Sequence, residues 1–398
     1  LPMNPPARCL DLTRLMSRAG RMPTGVDRVE FAYLRALLAD PVPLFGLART
    51  SLGFVLLDRV GAQAVLGAVT SGDWGRPGWL SRLSRRRTPQ QQAAQSLLRS
   101  RAIARCLPRL LPAMLRRHCP AGLSYMNTGH TNLTPSVLSA MRRHPGGRIV
   151  VLVHDTIPLN LPDFQRPGTV DVFAAKMRRV AVDADLVLTT SQVVKADIMR
   201  HFQTFGRVPP IVIAPLGVDP AVPDPTALPA DIDLTGPYFV AVGTIEPRKN
   251  HALLLDVWDD LGPTAPRLYI CGSRGWRNQE VFARLDAGVP GVRELPGLSD
   301  GAIATLLQGS RGLLFPSLAE GYGLPPVEAA QLRVPVVCGD LAIMHEVLGG
   351  TAIYLNPHDR YVWKETVIRL AAASTPMPAA HFVPPDWDEH FKIVLSAA

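Results

Sequence analysis

Two glutamates, Glu320 and Glu328, bracket the string E-G-Y-G-L-P-P-V-E, which holds two glycines and two prolines. It follows G-L-L-F-P-S, a short apolar run closed by a proline and a small hydroxyl residue. A strand, a glycine turn and a helix start in that order leave backbone N–H groups free. Those of Gly321, Tyr322, Gly323 and Leu324 could lie under an anion such as a diphosphate. Glu328 falls at the helix start, where a carboxylate can take two neighbouring ribose hydroxyls. The pattern points to a pocket for a nucleotide sugar. The competing explanation is a glutamate that only caps a helix after a tight turn.

A second cationic string, V-G-T-I-E-P-R-K-N-H, runs from Val242 to His251. A buried strand ends at Gly243, so Arg248 and Lys249 emerge at the mouth of a sheet and could neutralise a pyrophosphate leaving group. The alternative is a pair of solvated charges at a helix start, where the helix dipole disfavours cations. His154 follows the apolar run I-V-V-L-V and also sits at a strand's carboxyl end, as a substrate contact or as a structural hydrogen bonder. Asp155 either orients it or caps the next turn. In P-T-G-V-D-R-V, Gly25 permits close backbone approach and Asp27 can cap a helix. There is no G-x-G-x-x-G after a strand and no G-x-x-x-x-G-K-[ST]. The acidic triplets D-A-D, D-I-D and D-W-D are too short and too scattered to indicate a metal site.

The elements that must position these residues read as α/β. From Tyr238 to Leu355, continuous apolar strands alternate with helical patterns, including helices over residues 250–261, 276–285, 300–308 and 326–332. That rhythm predicts a doubly wound parallel sheet covered on both faces, with ligands beyond its strand ends. The first half repeats it with strands at 149–153, 186–189 and 211–214. Residues 48–120 read as an irregular or helical elaboration. The proline-rich segment 216–236 reads as a linker between domains at 1–215 and 237–380. Residues 381–398 form a last helical segment that could pack back on the first domain.

The chain has 398 residues, enough for two or three domains, and a formal charge of +9 concentrated in the first third. Arg82, Arg85, Arg86 and Arg87 form one knot. Arg99, Arg101, Arg105, Arg109, Arg116 and Arg117 continue it alongside apolar residues at helical spacing. This predicts a basic amphipathic helix, bent or broken at Pro108 and Pro112. Its stripe meets either the core or an anionic membrane surface. The basic residues are not interleaved with aromatics, which argues against nucleic acid. Five scattered cysteines without C-x-x-C spacing predict free thiols. No apolar run is long enough for a membrane helix and L-P-M-N-P-P lacks signal-peptide character. Met3 therefore reads as a native start, and the cytoplasm, including the inner face of the membrane, as the expected location.

Taken together, V-G-T-I-E-P-R-K-N, L-F-P-S before E-G-Y-G-L-P-P-V-E-A, P-V-V-C-G-D, L-V-H-D-T-I-P, T-T-S and A-P-L-G-V-D resemble glycosyltransferase family 4, in the family's order. The resemblance covers about residues 149–357 well and the first 35 loosely. It implies a GT-B fold of two Rossmann-like domains facing across a cleft. The implied reaction is retaining, metal-independent transfer of a hexose from a nucleoside diphosphate sugar to a glycan or lipid-linked glycan. The string variants look most like bacterial mannosyltransferases of surface polysaccharide assembly, which makes GDP-mannose the first choice of donor, with no further cofactor. The resemblance places Glu328 on the ribose and Glu320 near the donor sugar. It sets Arg248, Lys249 and Gly243–Thr244 by the diphosphate, and Leu298 near the base. His154 meets the donor sugar, its carbonyl facing the developing cation, and Gly25 lies near donor phosphate and acceptor. Many relatives carry Arg where this chain has Thr244, and Phe where it has Tyr322. The string L-A-I-M-H-E-V leaves the role of Glu346 open. The alternatives are another GT-B enzyme, such as a nucleotide-sugar epimerase or a glucan synthase, and a non-catalytic scaffold that binds a nucleotide sugar.

Overall fold

A computed structural model describes residues 5–82, 86–219, 221–373 and 381–398, with the side chain of Arg82 excluded. Met3 and Arg85 lie outside the described residues.

The first sheet has eight strands: β1 (Ala7–Asp11), β2 (Leu44–Thr50), β3 (Gly53–Leu57), β4 (Ala104–Cys106), β5 (Leu123–Asn127), β6 (Arg148–Leu152), β7 (Leu186–Thr189) and β8 (Ile211–Ile213). Their order is β4-β3-β2-β1-β5-β6-β7-β8. All neighbours run parallel except β2–β3 and β3–β4. β1 and β5 are buried along their whole length but carry Arg8, Asp11, Ser124 and Asn127. These polar residues interrupt the apolar runs by which strands are recognised. Arg8 Nη1 is paired from outside the strand, by Asp40 at 2.7 Å.

Residues 48–120 are less helical than expected. β2 and β3 form an antiparallel hairpin, β4 extends it, and helices Arg59–Ser71, Pro89–Ser100 and Leu111–His118 cover the edge. The long basic helix over Arg99–Arg117 does not form. Ile103 N–H bonds the Leu56 carbonyl at 2.9 Å and draws the chain onto the sheet edge. Pro108 then opens a separate 3-10 turn. Arg99 is buried rather than on a basic surface, and donates to Gln95 Oε1 at 3.3 Å and to the Ser81 hydroxyl.

The second sheet comprises β9 (Tyr238–Val242), β10 (Arg267–Cys271), β11 (Val292–Glu294), β12 (Leu313–Phe315), β13 (Val336–Gly339) and β14 (Ala352–Leu355). It is parallel throughout, in the order β11-β10-β9-β12-β13-β14. Succession reverses between β9 and β12, so their carboxyl ends flank a crevice. The helix expected from Trp276 begins only at Gln279, because Arg277 takes a left-handed φ of 49°. Trp276 and Arg277 instead reach the other domain, donating to the carbonyls of Phe164 at 3.0 Å and Gln165 at 2.6 Å.

The terminal helix Trp387–Ala397 lies against the first domain. Phe391 meets Tyr33 edge-on at 5.0 Å. His390 Nδ1–H donates to the Pro215 carbonyl at 2.9 Å, so its Nε2 accepts from the Tyr33 hydroxyl at 3.0 Å.

Candidate functional site

The carboxyl ends of both sheets line one cleft of ≈ 900 Å³. β9 ends at Gly243, whose φ of 142° suits glycine, and a β-carbon on the neighbouring Gly272 would fall 1.9 Å from the Gly243 carbonyl oxygen. Backbone this tight lets the chain turn sharply into the 3-10 turn Pro247–Lys249. Arg248 and Lys249 therefore enter the cleft together.

β12, next to β9, delivers the other half. Lys249 Nζ lies 2.6 Å from Glu320 Oε1, Arg248 Nη1 lies 3.0 Å from the same oxygen, and Arg248 Nε lies 2.7 Å from Glu246 Oε1. Lys249 also stands 4.3 Å above the Phe315 ring. Two cations and two carboxylates thus form one buried group. Burial drives the Glu320 pKa upward, but Lys249 and Arg248 outweigh it and hold this carboxyl below its ordinary value. Burial wins at Glu246, whose pKa is raised despite Arg248. Lys249 is lowered by burial, with Glu320 resisting. The sequence places the turn amides and the cations by the diphosphate and Glu320 near the donor sugar. Here Glu320 and the cations are bonded to each other, so Glu320 orients the cations.

His154 stands across the cleft. Its Nε2–H donates to the Thr128 carbonyl at 2.6 Å, and burial lowers its pKa to about 4, so the ring is neutral at pH 7. A β-carbon at Gly321 would lie 2.9 Å from the His154 carbonyl oxygen, so that carbonyl faces the glycine turn directly. Asp155 caps the following turn by accepting Ile157 N–H at 3.0 Å. Burial raises its pKa, and Arg248, from the other domain, pulls the other way.

The helix Leu324–Gln331 starts at Gly323, and Pro325 and Pro326 fill first-turn positions that need no donor. Leu324 side-chain carbon Cδ1 would be 3.3 Å from a β-carbon at Gly25, so the helix Gly25–Ala39 and this helix meet end to end across the cleft. Glu328 does not stand free. Arg28 Nη1 lies 2.5 Å from its Oε1, and Arg28 Nη2 bonds Asp300 Oδ1. Burial raises the Glu328 pKa, with Arg28 opposing. Thr244 and Leu298 line the same cleft. The Tyr322 hydroxyl donates to the Leu216 carbonyl at 3.0 Å, so it ties the turn to the interdomain segment.

Arg28, Glu246 and Asp300 belong to the cleft but carried no assignment. Arg28 had a signal: it follows Gly25 by three positions, one helical turn along the same face. Glu346 has a partner in the other domain, where its carboxylate accepts Gln192 N–H at 2.6 Å and Val193 N–H at 2.9 Å at a helix start.

Residues 229–371 match the family described as glycosyl transferases group 1. The serotype-specific mannosyltransferase WbdA of Escherichia coli is 30% identical over 234 residues, which cover 54% of this chain and 28% of that protein. The O-antigen chain mannosyltransferase B of Escherichia coli is 28% identical over 223 residues, covering 53% of this chain and 58% of that protein. The chain thus spans less than two thirds of these relatives. Among solved structures, the trehalose-6-phosphate synthase OtsA superposes over 98% of this chain and 94% of its own, with a TM-score of 0.59 at 13% identity.

Proposed function

From the premise that residues 229–371 belong to the glycosyl transferases group 1 and that the fold is GT-B, we propose that the chain transfers a hexose, mannose first, from a nucleoside diphosphate sugar to a glycan or lipid-linked glycan in polysaccharide assembly. One observation carries this reading. Arg248, Lys249 and the Glu320–Leu324 turn converge on one cleft at the β9/β12 crossing, facing the His154 carbonyl.

In the proposed reaction the bond between the sugar's anomeric carbon and the phosphate oxygen breaks, and its electron pair stays on the phosphate. Arg248 and Lys249, held by Glu320, stabilise that charge together with the amides of Gly321 to Leu324. The acceptor hydroxyl bonds the anomeric carbon from the face the nucleotide left, and its proton passes to the leaving phosphate. Configuration is therefore retained and no protein base is needed. The neutral His154 ring is committed to Thr128 and donates no proton to the reaction; its carbonyl dipole faces the cationic sugar. Glu328 holds the ribose and Leu298 packs near the base.

A thermal-shift series with GDP-mannose and UDP-, ADP- and dTDP-sugars tests the donor. GDP-mannose is expected to raise Tm most, by mass action. A flat response to every donor sinks the reading.

The acceptor is proposed to reach the cleft from an anionic membrane surface. Ile103, Leu107 and Leu110 are 41%, 51% and 50% exposed, and they alternate with the exposed Arg101, Arg105 and Arg109. Co-sedimentation with phosphatidylglycerol vesicles, but not with phosphatidylcholine vesicles, is the expected result, reduced by Leu107→Ser with Leu110→Ser. Equal sedimentation with both lipids excludes it.

A further inference from the structure

Arg28 projects from the first-domain helix Gly25–Ala39 into a cleft whose donor-side groups come from the second domain. It pairs with two carboxylates there, Glu328 at 2.5 Å and Asp300. A ribose that takes both oxygens of Glu328 in a bidentate grip competes with this guanidinium for Oε1. The released cation then stands in the cleft that holds Gly243, Arg248 and Lys249. Those two cations are already matched by Glu246 and Glu320. A diphosphate brings further negative charge to the same place, and more when it leaves the sugar.

We infer that Arg28 is an exchange residue: ribose displaces it from Glu328 and it then binds the donor's diphosphate, so that a first-domain group holds the leaving group only when the nucleoside is seated. The inference rests on the assignment of Glu328 to the ribose. It makes the two halves of the nucleotide respond to Arg28 with opposite signs. For the nucleoside, Arg28 is a competitor for Glu328. For the diphosphate, it is a ligand. A planar fork can change partners in this way because the same bidentate geometry fits carboxylate and phosphate. The side chain is only partly enclosed, about a third of it exposed, so it has room to move.

The test titrates the full chain with guanosine and GDP, and in parallel with uridine and UDP. The unaltered protein is compared with Arg28→Ala, Arg28→Gln and Glu328→Ala. Loss of Arg28 is expected to weaken binding of the diphosphate about tenfold, the scale of one charge-assisted bond. The nucleoside is expected to bind more tightly, and unchanged nucleoside binding overturns the exchange. Arg28→Gln serves if the alanine variant folds poorly. If nucleoside and diphosphate weaken by the same factor, or neither changes, the exchange is overturned while the ribose assignment stands. If Glu328→Ala leaves nucleoside binding unchanged, or neither nucleotide pair binds the unaltered protein, the ribose assignment itself falls.

Discussion

Lys249→Ala is expected to reduce kcat about 10²–10³-fold, the usual cost of losing one group aimed at developing charge. The ammonium lies 2.6 Å from Glu320 in a buried setting, fixed before any donor arrives. Such a fixed charge is worth more than a solvated one because nothing needs to reorganise as the phosphate leaves. Arg248 cannot replace it, because that guanidinium already spans Glu246 and Glu320. Nucleotide release from the donor, followed in the presence of acceptor, measures the effect. A kcat within about threefold of the unaltered protein would remove Lys249 from the mechanism. The companion variant Glu320→Ala separates stability from chemistry. It strands two buried cations, and breaking a buried pair costs about 3–5 kcal/mol. Its Tm should therefore fall much further than that of Lys249→Ala, which leaves Glu320 its contact with Arg248.

The second large effect depends on pH. His251 is almost fully buried, and burial, with Lys249 adding to it, lowers its pKa to about 3. The unfolded chain protonates this ring below about pH 6.5, whereas the folded chain does so only near pH 3. Between those values the unfolded state binds the extra proton, so the contribution of His251 to stability is complete above pH 6.5 and is lost as pH falls. At pH 5 the loss is about 2 kcal/mol, from about 1.5 pH units at 1.36 kcal/mol each. Burial likewise lowers His130 to about 3, and His154 and His390 to about 4. The buried carboxyls Glu30 and Glu246 are raised by burial and act in the opposite direction. A comparison of variants therefore isolates one ring. His251→Leu should gain about 2 kcal/mol on the unaltered protein between pH 7.5 and pH 5, read from urea midpoints. Parallel curves for the two proteins would show that the ring carries no such linkage.

The site was legible wherever its chemistry is local. Gly243 ends a strand and Lys249 follows within one tight turn. Glu328 follows a glycine turn and two prolines that open a helix. Each depends on φ angles, missing N–H groups and apolar runs a few residues long, which sequence exposes directly. The strands β1 and β5 were not legible. Arg8 and Asn127 sit inside them with partial partners, Arg8 Nη1 on Asp40, 32 residues away, and Asn127 Nδ2 on the Thr131 carbonyl just beyond the strand. The basic helix over Arg99–Arg117 failed for a similar reason, since the edge of β3 competes for its backbone.

The sequence by itself thus pointed to groups that line the cleft: a glycine turn, two cations and a histidine at strand ends, and two glutamates framing a helix start. Only the tertiary structure decided which of those groups hold one another. Glu320 meets Lys249 across 71 residues because β12 is laid beside β9. Glu328 meets Arg28 across 300 residues because the two domains face each other across one cleft. Those partners oppose the effect of burial on Glu320, Glu328 and Lys249. They arise from strand order and domain packing, which lie beyond the reach of any short run of residues.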